Sequence, residues 1–187
     1  KKWKRCRVAC RGKGAGERAK AAGIKSFLCV NHYATNPASF DRCRGFAEAI
    51  GADAKKSTLD SGDDPTGVES KVSAYLRQNA GTQAVLTLGP TSAHPTLKAL
   101  EKAGQSGKLW MATFDLSDEI GKGIKSGAVK FAIDQQPYLQ GYLAVSLLAS
   151  AIDFGTSLPT FPVLTGPGIV DETNIDATLA GVAKGAR

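Results

Sequence analysis

The chain has 187 residues, 42% of them hydrophobic and 22% charged, which suits one domain or one and a half. That balance excludes disorder over the whole chain, and the longest nearly apolar run, Tyr142 to Ile152, is too short for a membrane span of about 20 residues. The net charge of +7 does not describe the body: Lys1, Lys2, Lys4, Arg5, Arg7 and Arg11 meet no acid, leaving 18 of the 24 basic residues against 17 acidic ones. Residues 1–13 therefore read as a basic arm. Such an arm can bind phosphates, but a solvated terminus is the plainer reading, and no nucleic-acid partner is expected. No apolar stretch follows the basic start, so no secretory signal is expected within the chain as it stands. Cys6 and Cys10 lack the further ligands of a zinc site.

From residue 14 on, helices and strands alternate. A helix over 14–22 precedes the apolar strand KSFLCVN at 25–31. Ser39 suits a helix N-cap before Phe40, Phe46, Ala47 and Ile50. A strand near 52–59 follows, and Thr66 with Glu69 forms a capping box for a helix carrying Val68, Val72, Tyr75 and Leu76. AVLTL at 84–88 is a buried-type strand. The next helix, about 92–103, stops at Gly104. A fourth strand covers 109–114, Ser117 caps a helix ending near Lys125, and a fifth strand covers 129–133. GKGAG at 12–16 is glycine-rich but follows no strand, and reads as a connection into the first helix.

Five strands joined by helices predict an α/β fold: a doubly wound, parallel five-stranded sheet over 14–134. Ligands in such sheets bind beyond the carboxyl ends of the strands. Those ends are Asn31-His32, Asp60 to Asp64, Gly89 to Thr91, Asp115, and Asp134-Gln135.

Residues 135–187 behave differently. Pro137 opens a helix to about Phe154 with no charge before Asp153, and Leu139, Tyr142, Leu143, Val145, Leu147, Leu148 and Ile152 cover more than one face. FPVL at 161–164 reads as a strand and 176–184 as a weak terminal helix. One helix and one strand build no second sheet. Either a partner covers that helix, a second copy through 137–154 among the options, or a piece of the fold is missing.

AVKFAIDQQPYLQGYLAVSLLASA followed by PVLTGPGIV resembles the sugar-type periplasmic solute-binding proteins of ABC transporters, the ribose-binding-like group. KSFLCVNH, DRCRGF, LTLGPTSAHPTLKALEKAG and WMATFDLSDE fit the same family in order, over about 12–172. The resemblance implies two α/β lobes joined by a hinge, with sugar in the cleft. Here the order corresponds to one complete lobe, a return crossing near 134–136, and then a helix and strand of the other lobe. Most of that other lobe has no counterpart, and KKWKRCRVAC lies outside the resemblance. A truncated chain with weak or no binding is the expectation.

The resemblance assigns the family's sugar-binding arginine to Arg42, its aspartate to Asp115 and its glutamine to Gln135. The chemistry fits, because a guanidinium is a rigid fork of donors and a carboxylate accepts two hydroxyl bonds. The plainer roles are a surface salt bridge, a helix N-cap and a hinge hydrogen bond. Gly89 departs from the family, whose ribose-binding members have asparagine there; backbone N–H groups and the Thr91 hydroxyl are the expected compensation, and ribose does not carry over. Asn31 and His32 end a strand at the cleft rim, and Asp63 and Asp64 lie on a strand-end loop. Cys29 and Cys43 belong to one strand–helix unit. A disulfide there suits an oxidising periplasm, and two buried thiols suit a cytoplasmic fragment. Trp110 and Phe114 read as core.

The implied function is the substrate-binding component of an ABC-type sugar importer. It takes a monosaccharide or polyol, with the permease as partner, no membrane insertion and no enzymatic activity. No phosphate loop, triad or metal cluster is present in the sequence, and no cofactor is expected. The alternative is the effector-binding domain of a LacI-type regulator, for which the arm is too short to hold a helix-turn-helix. The resemblance places the protein in the periplasm. A chain that truly starts at Lys1 would stay cytoplasmic.

Overall fold

The computed structural model describes residues 2–185, with side chains from residue 12 onward. Elements follow in the order α1 (Lys2–Ala21), β1 (Phe27–Asn31), α2 (Pro37–Ile50), β2 (Thr58–Asp60), α3 (Pro65–Gln78), β3 (Ala84–Thr87), α4 (Pro90–Lys102), β4 (Trp110–Phe114), α5 (Asp118–Lys125), β5 (Phe131–Asp134), α6 (Pro137–Phe154), β6 (Gly168–Val170) and α7 (Ile175–Ala183).

The sheet runs β2-β1-β3-β4-β5-β6. The first five strands are parallel, and β6 pairs antiparallel with β5 through Ala132–Val170, Ile133–Ile169 and Asp134–Gly168. The parallel strands are buried runs because helices cover both faces. Alternate residues divide between the two faces. Leu28, Val30, Val85, Met111 and Ala132 meet Val68 and Val72 of α3, Leu100 of α4, Ile120 of α5 and Ile175 of α7. Phe27, Cys29, Leu86, Ala112, Phe114 and Phe131 meet Ala15 and Ala19 of α1 and Cys43, Phe46 and Ala47 of α2. The chain leaves β1 for one face through α2 and leaves β3 for the other through α4. The carboxyl ends of β1 and β3 therefore flank the switch point, where a crevice opens.

Three sequence expectations need correction. The 1–13 arm and the GKGAG connection are not separate from the first helix, since α1 is continuous from Lys2 to Ala21. The charged side chains through Arg11 and the thiols of Cys6 and Cys10 lie outside the described residues. Gly12 and Gly16 are the points at which α1 meets α2. A Cβ on Gly12 would sit 2.0 Å from the Arg42 carbonyl oxygen, and one on Gly16 would sit 2.6 Å from that of Phe46. The rising register, Gly12 to Arg42 and Gly16 to Phe46, means that the two helices run the same way.

The C-terminal strand is not FPVL, which is exposed, but Gly168–Val170, and it joins this sheet rather than another lobe. α7 returns as well: Leu179 lies against Gly121 of α5, and Ile175 is buried. FPVL is apolar enough for a strand, but β5 has one open edge and β6 takes it. Two helix starts also move forward to a proline. Asn36 rather than Ser39 caps α2, and Asp64 with Pro65 opens α3 in place of the Thr66 box. Ser117 caps α5 by accepting the N–H of Ile120.

α6 has no buried residue. Val145, Ile152 and Phe154 are 70–79% exposed. The helix and the segment 158–165 flank an apolar groove of about 590 Å³ lined by Leu143, Leu147, Leu158, Phe161 and Val163. Both faces of the sheet are already covered, so α6 has no surface within this lobe to pack on.

The α1–α2 crossing is open to a direct check by urea denaturation. Gly16→Ala lowers the unfolding free energy by about 1–3 kcal/mol, because its Cβ meets α2 backbone that cannot give way. Gly14→Ala, whose Cβ meets nothing within 4 Å, is neutral or stabilising by up to about 1 kcal/mol.

Candidate functional site

The site stands on the carboxyl edge of the sheet, where α2, the β3–α4 turn, the end of β4 and the exit of β5 come together. Arg42 lies on the second turn of α2. Its guanidinium carbon sits 4.5 Å from the ring centre of buried Phe114, a cation–π contact. Nη1 donates to the Leu88 carbonyl at 3.4 Å, and Nη2 donates to Gln135 Oε1 at 2.9 Å. Gln135 Nε2 in turn donates to both carboxylate oxygens of Asp115 at 2.9 Å. Gln135 thus links a cation to an anion, with its carbonyl end on one and its amide end on the other.

The backbone is shaped to allow this. Asp115 follows β4 at φ 58°, and Gln136 follows the site glutamine at φ 54°, both left-handed conformations uncommon for non-glycine residues. The Asp115 N–H reaches the Ile133 carbonyl at 2.9 Å, and buried Asp134 accepts the Gln136 N–H at 2.8 Å. The Gln135 carbonyl accepts from Gln140 Nε2 of α6 at 2.6 Å and from Thr165 Oγ1 at 3.2 Å.

Cys29 and Cys43 form a disulfide with Cα atoms 5.8 Å apart, fastening α2 to β1 one residue from Arg42. Closing a loop of this length contributes on the order of 3 kcal/mol.

The remaining candidates fall in different places. His32 and Gly89 face each other across the switch point: a Cβ at 89 would lie 3.4 Å from His32 Cε1. Asn31 is buried and its side chain accepts the Tyr33 N–H at 3.0 Å, so it shapes the turn after β1. Thr91 is exposed on the first turn of α4. Asp64 caps α3, accepting the Gly67 N–H at 2.6 Å, while Asp63 is exposed on the rim. Trp110 packs edge-on to Phe131 at 5.4 Å, within the core. Sequence reasoning passed over Ser92, buried in the first turn of α4, whose Oγ lies 3.1 Å from His32 Nδ1. Its place three residues after Gly89 was the available signal. It also passed over His94, which contacts the Ser117 hydroxyl at 2.8 Å, away from this network.

Burial and the Arg42 charge lower the pKa of His32 from its ordinary 6.5, against the opposing pull of Asp63 and Asp115. Among the described residues, no cluster of His, Cys, Asp or Glu could hold a metal ion, and no helix is long and apolar enough to cross a membrane.

The topology, with donors and acceptors gathered at the carboxyl edge of the sheet, is that of the doubly wound α/β folds that bind ligands there. The periplasmic binding protein domain matches residues 10–157, and the chain belongs to that family. A carbohydrate transporter of Acidothermus cellulolyticus 11B, solved with myo-inositol, is 31% identical over 96% of this chain and 62% of its own, with a TM-score of 0.84. A solute-binding protein of an ABC transporter from Agrobacterium vitis, bound to α-D-tagatopyranose, is 26% identical over 90% of this chain and 58% of its own, with a TM-score of 0.72. The glucose-galactose binding protein of Geobacillus stearothermophilus, at 20% identity over 89% of this chain and 61% of its own, shares the fold with a TM-score of 0.74. This chain thus spans between 58% and 62% of the length of these proteins. No curated protein matches it. The family and these neighbours are binding and transport proteins, not enzymes.

The charges around His32 set its titration. In an NMR titration, Arg42→Met raises the His32 pKa and Asp115→Asn lowers it further. The folded pKa is depressed, so protonation favours the unfolded chain. His32's contribution to stability is complete above pH 6.5 and is lost as pH falls from there through the folded pKa.

Proposed function

We propose that this chain supplies one wall of a sugar-binding cleft, and that Arg42, Gln135 and Asp115 are the groups that grip the ligand. The observation that carries this reading is their joining into one hydrogen-bonded network at the carboxyl edge of the sheet. Each member has a complementary partner and a fixed orientation, so hydroxyls of a sugar or cyclic polyol exchange into an array already in place. Arg42 donates in a fork, Asp115 accepts two hydroxyls, and Gln135 does both. His32, Gly89, Thr91 and the backbone beyond Asn31 form the rim. A monosaccharide or a cyclohexane polyol is the ligand class. The two more similar neighbours were solved with myo-inositol and α-D-tagatopyranose, which supports that choice.

In the whole protein, closure of the opposite wall onto the ligand would signal to an ABC permease in the periplasm. α6 and 158–165 present the apolar surface on which that wall would rest. A second copy could use the same face, and sedimentation velocity separates the two arrangements. On its own, one wall binds weakly, because the opposite side contributes the remaining hydrogen bonds and ring contacts.

Titration of myo-inositol into the 187-residue chain, followed by NMR, gives a Kd of about 1 mM or weaker, roughly −4 kcal/mol. The Gln135 side-chain amide is among the shifting signals, and Asp115→Ala abolishes the shifts. Micromolar affinity would show that one wall suffices. No shift at Gln135 at saturating concentrations of myo-inositol, D-ribose or D-galactose sinks the reading.

A further inference from the structure

Gly89 carries no side chain at the switch point, and the structure shows what occupies the space. Its φ of 162° is extended backbone open to any residue, so conformation does not require glycine there. The His32 ring lies beside it, with Cε1 3.4 Å and Nε2 3.9 Å from where a Cβ would stand, an ordinary van der Waals contact. The ring crosses from β1 to lie over the β3–α4 turn, half-buried, with Arg42, Asp63 and Asp115 close enough to act on its charge.

Ser92 fixes the ring's orientation. Its hydroxyl has one hydrogen and two lone pairs. The hydrogen goes to the Gly89 carbonyl at 3.2 Å, and one lone pair accepts the Leu88 N–H at 3.2 Å. With the hydrogen placed on Gly89, the second lone pair faces His32 Nδ1 at 3.1 Å, the arrangement in which Nδ1 carries the proton of the neutral ring. Nε2 is then a bare acceptor, and among the described residues it has no hydrogen-bond partner.

We infer that His32 Nε2 accepts a hydrogen bond from a ligand hydroxyl, with Gly89 beside the ring and Ser92 acting as the positioning residue that sets its tautomer. This rests on the cleft reading above and adds a fourth contact to it. The other three groups hold charge or amide polarity, whereas a neutral imidazole nitrogen accepts without bringing charge. It therefore selects ligands with a hydroxyl donor facing β1 over deoxy analogues at that position.

The test is ¹⁵N NMR of the histidine rings in the 187-residue chain above pH 7, with myo-inositol as the probe. In the unliganded chain, His32 Nε2 shows the downfield shift of an unprotonated nitrogen. Adding myo-inositol moves it upfield, while His94 stays still. Ser92→Ala leaves the chain folded, mixes the His32 tautomers and weakens binding about fivefold. His32→Phe, which fills the same space without the acceptor, weakens it by a similar factor. A bare Nδ1 in the unliganded chain overturns the inference. So does a Gln135 amide that shifts while Nε2 does not, and in that case the cleft reading survives. If neither moves, both fall.

Discussion

A guanidinium held over a buried aromatic ring is the constraint around which this lobe is arranged. Arg42 leaves bulk water on one side, and a partly desolvated cation is tolerated only if its donors find partners and its face finds a surface. Phe114 supplies the surface, and Leu88 and Gln135 accept from the donors. Those partners come from β4, the β3–α4 turn and the exit of β5, so the arginine can be satisfied only if four elements hold their relative positions. α2 must be still for the same reason. The close approach of α1 at Gly12 and Gly16, the Cys29–Cys43 bond and the Phe46 ring tilted against Phe27 at 4.5 Å hold its backbone on either side of Arg42.

The network also explains why two non-glycine residues take left-handed conformations. Each costs on the order of 1–3 kcal/mol and persists only where surrounding structure over-determines it. Asp115 turns out of β4 so that its carboxylate meets Gln135, and Gln136 turns so that Gln135 faces the sheet edge while the chain moves on to α6. Strain of this kind is at odds with a merely structural cap. It fixes the Asp115 and Gln135 side chains in one arrangement at the carboxyl edge of the sheet.

Much of this was legible in the sequence, and what was missed has physical causes. Buried strands at 84–88 and 109–114 announce themselves by unbroken apolar runs, and alternating helices dictate a parallel sheet. Asp115 and Gln135 follow parallel strands, whose carboxyl ends are where such folds bind ligands, while Arg42, on the second turn of α2, was singled out by the family resemblance alone. Helix starts at Pro37 and Pro65 were misplaced by a few residues because Asn36 and Asp64 compete with Ser39 and Thr66 as caps, and proline at the first helical position decides the contest. FPVL is the longer apolar run, but strand formation needs a partner, and residues 168–170 take the open edge of β5. The role of Gly12 and Gly16 was hidden for a similar reason. A glycine in a helix reads as a break until the backbone it must approach, 30 residues away, is known. Ser92 and His32 meet across 60 residues, which no local pattern encodes.

α6 stands apart from this economy. Every other long helix buries a face, while this one exposes Tyr142, Val145, Leu148 and Ile152 and carries no charge before Asp153. Leaving side chains of this size in water forgoes about 1.5–3 kcal/mol each, more in sum than a typical domain's margin of stability. The hinge ties that surface to the site, because Gln135 has two attachments. Its side chain joins Arg42 to Asp115, and its carbonyl receives Gln140 from the first turn of α6 and Thr165 from the segment opposite. A change in how α6 sits therefore bears on the residue at the centre of the binding network, with no intervening element. Only Gln136 separates Gln135 from Pro137, where α6 begins, so two peptide bonds join the network to the exposed helix.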